Sequence, residues 1–524
     1  MTVQARWKAR VTAALSVHSD AVDILSDAET LEYYSHDIAG AGERAVALVL
    51  KPRTITALQC IVETAHEEKF ALYPRGSGLS YTGGYTGGTL EGAALDLTAM
   101  NVVEGIDETN RCMTVEAGGT WEQLHRTLAD TGWRTPFAGP LSGYESTVGG
   151  ALSNDAAFFG SARHGSSRGS VLGLTIVLAD GSVLVTGTHR FEPHPHPIGP
   201  DLTPLFLGDG GALGIKAAAT LALVPRGEET RFASFAFETL PSMLSAQSAL
   251  IDHPFLMESF GFDRQAHENL ARGGFTALES AEMLRDIARS ESRLSRRFTR
   301  VISAAARGQR LVADLECSLH LAFEAPNAAY ADAALEDAAA LASRHGGTLV
   351  PDTIPRVTHT RPFRPIKALL GPSGERWLPM HGIFRPSDVA RGWQAVEAFR
   401  TANAEQMARH EITTSALTVT SGRSLLLEVH FFWPDALGPF HRRRVSSEQL
   451  RAHGGARENL PARALAHELR GSLARDFSEA GATHFQTGRF YEPERPPEAE
   501  RVLRALKSAL DPGQVFNPGV GNLP

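Results

Sequence analysis

Two glycine-rich segments have the residue types and the order to hold an anion. The first, Pro74-Arg75-Gly76-Ser77-Gly78-Leu79-Ser80-Tyr81-Thr82-Gly83-Gly84, follows the short apolar run Phe70-Ala71-Leu72-Tyr73; the second is Thr147-Val148-Gly149-Gly150-Ala151-Leu152-Ser153-Asn154. Glycine lets the backbone reach positive φ and approach a ligand closely, so successive N–H groups converge on phosphate oxygens, with Ser77 and Ser80 as further donors. Together the segments read as two halves of one large anionic-cofactor site. A dinucleotide fold is the nearest rival for Gly76-Ser77-Gly78. The Tyr81-Thr82-Gly83-Gly84-Tyr85-Thr86-Gly87-Gly88 that follows is, however, a poor opening for the helix such a fold requires.

A second set of residues could do acid–base work. Ser424 to Trp433 reads as a strand after the turn Ser421-Gly422-Arg423, and period-two alternation puts Glu428, His430 and Phe432 on one face. His484 and Gln486 share a face of Ala482 to Gln486 on the same argument, just before Gly488-Arg489-Phe490-Tyr491. Arg489 suits a carboxylate, or with Tyr491 a phenolate. His381, in Leu378-Pro379-Met380-His381-Gly382, is a third candidate in a shaped loop. Each has a bland alternative as a buried, satisfied or solvated side chain. His194 and His196 alternate with prolines and have no third ligand nearby, and Glu428 with His430 offers only two, so no metal is expected.

The elements that position these groups are legible in outline. At 524 residues the chain exceeds what one core fills, so at least two domains are expected. The net charge of -8 argues against a nucleic-acid partner. Cys60, Cys112 and Cys317 are widely spaced and read as buried free thiols. The first residues lack the apolar stretch of a secretory signal and no run reaches membrane-spanning length, which gives the expectation of a cytoplasmic protein. Residues 10–35 read as helix, Ala45 to Leu50 as a strand, and a helix begins at Thr54 with Ile55, Leu58, Val62 and Ala65 on one face. Phe70 to Tyr73 then favours a strand parallel to the first and paired with it, running into the glycine loop. Further strands are expected at Ala94 to Leu97 and Met113 to Ala117, a helix at Trp121, Leu124 and Leu128, and a hairpin from Gly173 to Gly187 turning at Asp180-Gly181. After Val224-Pro225-Arg226 the texture changes to strands and alanine-rich helices such as Ala328 to Ser343. Near the end, Ala499 to Leu510 is an amphipathic helix.

In this order the motifs resemble the FAD-linked oxidoreductases of the vanillyl-alcohol oxidase, or PCMH, type. Pro74-Arg75-Gly76-Ser77-Gly78 looks like the first pyrophosphate loop, and Ser146-Thr147-Val148-Gly149-Gly150 with Ser153-Asn154 like the second. Arg163-His164-Gly165 looks like the flavin-side segment, Leu213-Gly214-Ile215 like the ring-contacting turn, and Leu510-Asp511-Pro512 with Asn517-Pro518-Gly519 like the C-terminal signature. The resemblance implies an α+β fold: a two-lobed FAD-binding domain over 1–227, a separate α+β cap over 228–480, and a return to the FAD domain over 481–524. It also implies cofactor contacts from Pro74, Arg75, Gly76, Ser77, Gly78, Leu79, Ser80, Pro140, Ser142, Thr147, Gly149, Gly150, Ser153, Asn154, Arg163, Gly165, Gly214, Ile215 and Asn517. At Gly208-Asp209-Gly210-Gly211-Ala212 relatives often carry Glu and Thr, which puts the usual contacts there in doubt. Because the first loop has Leu79 and Ser80 where doubly linked relatives carry a histidine, FAD is expected to be non-covalent, with a single link through His381 or another cap residue open.

The implied activity is removal of a hydride from a hydroxyl-bearing carbon to the flavin N5, with oxygen or another acceptor reoxidising the flavin. The catalytic candidates are His430, Glu428, His484, Arg489, Tyr491 and His381. A small 2-hydroxy acid is the first choice of substrate, since Arg489 and the histidines suit a carboxylate with its α-hydroxyl. A 4-substituted phenol or aryl alcohol is the alternative, with Tyr491, Arg489 and Phe431-Phe432-Trp433 as an aromatic pocket. A non-redox flavoprotein like the alkylglycerone-phosphate synthases, or a binding protein without catalysis, stays open, as does a homodimer.

Overall fold

The computed structural model describes residues 3–16, 20–188, 199–272, 315–363 and 369–524. His194 and His196 lie outside the described residues. In the first lobe Leu48–Pro52 and Ala71–Arg75 are parallel as expected, but they are not partners. Gly92–Asp96 is inserted between them and pairs in parallel with both, while Val22–Leu25 adds an antiparallel edge. The helix Ile55–Glu68 starts where the sequence indicates: Thr54 caps it by accepting from the Ala57 amide at 3.2 Å, and Ala57, Leu58, Ile61, Val62 and Ala65 form its buried face. The single helix expected over 10–35 is instead a helix Val3–Leu15, the strand Val22–Leu25 and a helix Ala28–Tyr34. The strand forms because Leu48–Pro52 offers it a ladder, and Asp27 restarts the helix by accepting from the Thr30 amide at 2.9 Å. A tertiary partner overrides local periodicity here.

The second lobe is a five-stranded antiparallel sheet in the order Val103–Asp107, Cys112–Glu116, Ile215–Ala222, Val171–Val177, Val183–Gly187. The last two strands form the expected hairpin, with Gly181 at φ 79° in its turn. A seven-stranded antiparallel sheet follows, in the order Thr348–Val350, Glu229–Phe237, Cys317–Ala325, Leu256–Asp263, Thr413–Ser421, Ser424–Trp433, Arg376–Phe384. Its outer face packs on the helices Leu240–Ala249, Ala328–Arg344, Val389–Arg409 and Leu460–Glu479; Leu425, Leu427, Val429, Phe431 and Trp433 sink into that core. Alternation turns Leu426, Glu428, His430 and Phe432 the other way. There Phe158 and Phe159 of the second lobe pack on Phe260, Leu417, Val419 and Leu426.

The last segment runs back along the first lobe. After the helix Pro497–Leu510, the Leu72 amide donates to Val515 at 2.7 Å and the Asn517 amide donates to Leu72 at 2.9 Å. Lys507, fully buried, pairs with Asp511 at 2.5 Å and donates to the Ala212 and Phe516 carbonyls, fixing this segment to the second lobe as well.

Candidate active site

The strand Ala71–Arg75 delivers the first glycine loop, whose carbonyls are held from behind. Arg444 donates to Ser77, Tyr85 to Gly78 and at 3.1 Å to Ser80, Arg470 to Tyr81 at 2.9 Å, the Arg489 amide to Thr82 at 2.8 Å, and the Arg489 guanidinium to Gly83. In a trans peptide the next N–H points away from the carbonyl. Among the described residues, none of the amides of residues 77–82 donates to a protein acceptor. Gly78 has φ 76°, and a Cβ there would sit 2.5 Å from the Arg75 guanidinium, which lies directly beneath the loop. Arg75 is 3% exposed and its carbon Cζ stands 4.6–4.7 Å from the ring centroids of Tyr33, Tyr34 and Tyr85; its Nη1 and Nη2 are buried with no hydrogen-bond partner among the described residues. A row of free amides over a buried cation is what a diphosphate requires. The loop therefore fits the cofactor that the motifs imply.

The second segment abuts the first, since a Cβ on Gly76 would lie 2.1 Å from the Thr147 Oγ1. It is built differently. Val148–Asn154 is a short helix whose leading amides are already bonded, Val148 to the Gly119 carbonyl and Gly149 to the Ala117 carbonyl at 2.8 Å each, and Gly150 to the Thr147 hydroxyl at 3.2 Å. A Cβ on Gly149 would meet the Ala117 Cβ at 2.7 Å. Gly149 serves close packing against the sheet, and the amides of both glycines are already bonded within the protein, which corrects the expectation that their N–H groups cradle phosphate. Ser153 and Asn154 donate to the Gly149 and Gly150 carbonyls at 2.8 and 2.9 Å. Ser142 bonds Ser146 at 2.6 Å in the turn that begins at Pro140, whose carbonyl accepts from Gly143. Arg163 reaches the Met257 sulfur at 4.0 Å, and Gly165 ends the helix Ser161–His164 at φ 77°. A Cβ on Gly214 would lie 2.6 Å from Ile176, so it is a packing glycine, and Ile215 is buried at the start of its strand. Asp209 of the divergent turn pairs with buried Lys216 at 2.5 Å and accepts from the Gly211 amide, closing its own loop. Asn517 donates to the Gly84 and Gly210 carbonyls at 2.6 and 2.7 Å.

On the inner face of the large sheet, register places His381 opposite Glu428, and His430 between Pro379 and Ser415. His430 Nε2 lies 3.2 Å from Glu428 Oε1, and the Ser415 hydroxyl lies 3.4 Å from His430 Nδ1. A carboxylate only accepts, so with Glu428 ionised the Nε2 carries the proton and Nδ1 keeps its lone pair. The two side chains are 14% and 18% exposed, so a small molecule can touch them. Burial pushes the Glu428 carboxyl up, but the hydrogen bond and charge of His430, with His381 and Tyr81, bring it below the ordinary carboxylate range. The Tyr81 hydroxyl, from the first glycine loop, lies 3.3 Å from His381 Nδ1 and 3.4 Å from Glu428 Oε1 and shares its one proton between them. Burial and then Glu428 hold the Tyr81 hydroxyl well above its ordinary value, hence protonated. Trp377 stands 5.6 Å from the His430 ring and 5.9 Å from that of Tyr81, and Phe432 lies 6.2 Å from His430.

The other candidates divide. His381 is fully buried, and its Nε2 lies 2.7 Å from the Phe485 carbonyl, so both ring nitrogens are occupied; burial brings it down to about 3 despite Glu428. A neutral imidazole so enclosed has no nitrogen left for a flavin. Tyr491 accepts from the His381 amide at 2.9 Å and stacks on His484 at 4.1 Å, while His484 Nδ1 lies 2.7 Å from the His381 carbonyl. These two support the cluster from behind. His484 and Gln486 do not share a strand face, because Gln486 adopts φ 49° and breaks the alternation. Arg489 is not in the cluster: its guanidinium is committed to the Gly83, Thr86 and Pro518 carbonyls and the Asn517 side chain. Among the described residues, no group of three or more His, Cys, Asp or Glu is placed to hold a metal ion.

Sequence reasoning passed over Tyr81, Trp377, Ser415, Arg470 and Arg444. Tyr81 carried a signal, being an aromatic inside a ligand loop. Arg470 carried none, as an arginine on a helix of ordinary composition; it is 1% exposed, lies 3.6 Å from the Phe490 ring and donates to the Pro379 and Tyr81 carbonyls.

Residues 46–187 match the family model described as FAD binding domain. The chain is 31% identical over 218 residues to glycolate oxidase subunit GlcD of Bacillus subtilis (strain 168), a match covering 42% of this chain and 45% of that protein. It is 31% identical over 206 residues to the probable mitochondrial D-lactate dehydrogenase of Danio rerio, covering 39% and 40%. The chain thus spans less than half the length of these curated relatives. Along its whole length it superposes on p-cresol methylhydroxylase with substrate bound, at a TM-score of 0.71 and 15% identity, covering 100% of this chain and 98% of that one. That likeness shows that the chain shares the α+β fold of that enzyme.

Proposed function

We propose that this chain, whose residues 46–187 match the FAD binding domain model, is an oxidoreductase of the PCMH-type FAD-linked kind that removes a hydride from the hydroxyl-bearing carbon of a small 2-hydroxy acid. The observation that carries the reading is Tyr81: the hydroxyl of this cofactor-loop residue lies 3.4 Å from Glu428 and 3.3 Å from His381 on the cap face, so the cofactor site and an accessible acid–base pair are contiguous. FAD, when bound, supplies the hydride acceptor. Glu428 holds the His430 Nε2–H and so aims Nδ1, with Ser415 beside it, at the substrate hydroxyl. His430 Nδ1 takes the hydroxyl proton, and the carboxylate steadies the imidazolium that results. Tyr81 and Trp377 close the site and exclude water. The choice of a 2-hydroxy acid is supported by the names of the glycolate and D-lactate enzymes that the FAD-binding part is similar to.

A second reading, a 4-substituted phenol or aryl alcohol, is favoured by the aromatic wall of Tyr81, Trp377 and Phe432 and by the commitment of Arg470 and Arg489 to carbonyls. Anaerobic mixing of the flavin-loaded protein with glycolate, D-lactate, vanillyl alcohol and a 4-alkylphenol separates the two. Bleaching by the acids alone supports the first and bleaching by the aromatics alone the second. If none bleaches the flavin the redox reading falls, and a non-redox or non-catalytic role replaces it. Acid precipitation that leaves all yellow colour in the supernatant is expected, since His381 has no free nitrogen.

A further inference from the structure

We infer that Arg444, carried by the cap, is a positioning residue for the cofactor loop, so that docking of the cap and retention of FAD are one coupled event. The inference rests on the FAD-binding reading of the loop. The short helix Pro439–Arg444 follows the strand Ser424–Trp433 and leaves the large sheet for the first lobe, where buried Phe440 stacks on Tyr33 at 5.7 Å and an interplanar angle of 3°. From its end Arg444 grips three separate segments. Nε donates to the Tyr33 hydroxyl at 3.0 Å, Nη1 to Glu145 in the turn ahead of the second glycine segment, and Nη2 to the Ser77 carbonyl in the first loop. The side chain is 12% exposed.

The Ser77 bond has a direct consequence for a ligand. Fixing that carbonyl points the Gly78 amide, which donates to no acceptor among the described residues, to the opposite side of the loop. The planar guanidinium offers donors in a rigid fork and keeps its charge at every relevant pH; a lysine in its place would keep the charge but could not span three acceptors. Arg444 is absent from the Glu428 cluster, so its contribution is to the cofactor and not to acid–base chemistry. A second arginine bridge supplies the comparison. Arg134 of the second lobe pairs with Glu324 of the large sheet at 2.9 Å and gives its remaining bonds to the Thr135 and Pro136 carbonyls, away from the first loop. It fastens the cap without touching the ligand loop.

The test uses the full chain. FAD is titrated into the apoprotein of wild type, Arg444→Lys, Arg444→Gln and Glu324→Gln, and each apoprotein is melted in parallel. Losing hydrogen bonds from a charged donor is expected to raise the Kd for FAD about 10-fold to 100-fold in both Arg444 variants. Glu324→Gln should lower the melting temperature at least as much while leaving the Kd within about twofold of wild type. Coupling is reciprocal, so FAD should slow tryptic cleavage at Arg442 to Arg444 in wild type and not in Arg444→Lys. A Kd in Arg444→Lys equal to wild type would overturn the positioning role, because charge alone would then suffice. An equal rise in Glu324→Gln would overturn it too, since cap docking in general would explain the loss. If wild type itself binds no FAD, the cofactor reading fails and the positioning role of Arg444 falls with it, an outcome distinct from the two above because wild type and variants then behave alike.

Discussion

In the loop after Arg75 the working donors are backbone amides, and the side chains serve from behind: Arg444, Tyr85, Arg470 and Arg489 each hold a carbonyl so that the N–H groups face outward. On the cap face the backbone is consumed by strand pairing, and Glu428, His430 and Ser415 make the polar surface with their side chains. The loop therefore depends on φ and on close approach, which are properties of glycine. The cap face depends on the identity and protonation of particular side chains. Damage to one should spare what the other does, and that separation can be broken experimentally.

The largest expected effect is on the cap side. Replacing His430 with Ala removes the proton acceptor, so the rate of anaerobic flavin reduction should fall about 10²–10⁴-fold. FAD content and the Kd for FAD should stay at wild-type values, because His430 touches no part of the loop. Parallel loss of flavin and of reduction rate would dissolve the distinction and make His430 a structural residue. The matching change on the loop side is Gly78→Ala. A side chain at φ 76° is strained and its Cβ would strike the Arg75 guanidinium; the Kd for FAD should rise about 10-fold or more. Whatever fraction of that variant retains flavin should be reduced at the normal rate, measured per bound flavin.

The second glycine segment sharpens the comparison, because its composition is like that of the loop and its use is not. In Gly149→Ala the new Cβ meets Ala117, so the melting temperature should drop by the equivalent of about 1–3 kcal/mol. The Kd for FAD should change far less than in Gly78→Ala, since the Gly149 amide is already bonded to the Ala117 carbonyl. A large loss of FAD affinity with unchanged stability would show that this segment cradles the phosphate after all.

These contrasts explain what could be read from the sequence. The first loop was legible because turn conformation and glycine spacing are local properties; the strand into it and the helix capped by Thr54 are local as well. The acid–base pair was half legible: alternation in Ser424–Trp433 put Glu428 and His430 on one face, because ladder geometry imposes period two whatever the partner strand. What stayed hidden depended on distant chain. The Gly119 and Ala117 carbonyls that occupy the second segment come from the end of another strand, and the acceptors that claim Arg489 come from two loops far away in sequence. Tyr81 joins the two sites only because the large sheet lies over the first loop, a packing fact with no sequence period. The strand Val22–Leu25 was lost for the same reason, its evidence being its partner.

The smallest effect concerns the charge on the cap face. Glu428 has its folded pKa drawn below the ordinary 4.5, with burial opposing and His430 prevailing. A carboxyl depressed in the folded state contributes stability that is fully present above its unfolded pKa and is lost as pH falls through the folded one. The melting-temperature gap between wild type and Glu428→Gln should therefore be level from neutral pH down to about 4.5 and shrink below it. A gap that closes already between pH 7 and 5 would mean that the carboxyl is protonated in the working range. Glu428 could then no longer hold the His430 Nε2–H as an acceptor, and the orientation of Nδ1 toward a substrate hydroxyl would lose its cause. Because the loop holds its carbonyls with arginines that keep their charge throughout this range, FAD affinity measured over the same pH series should stay flat.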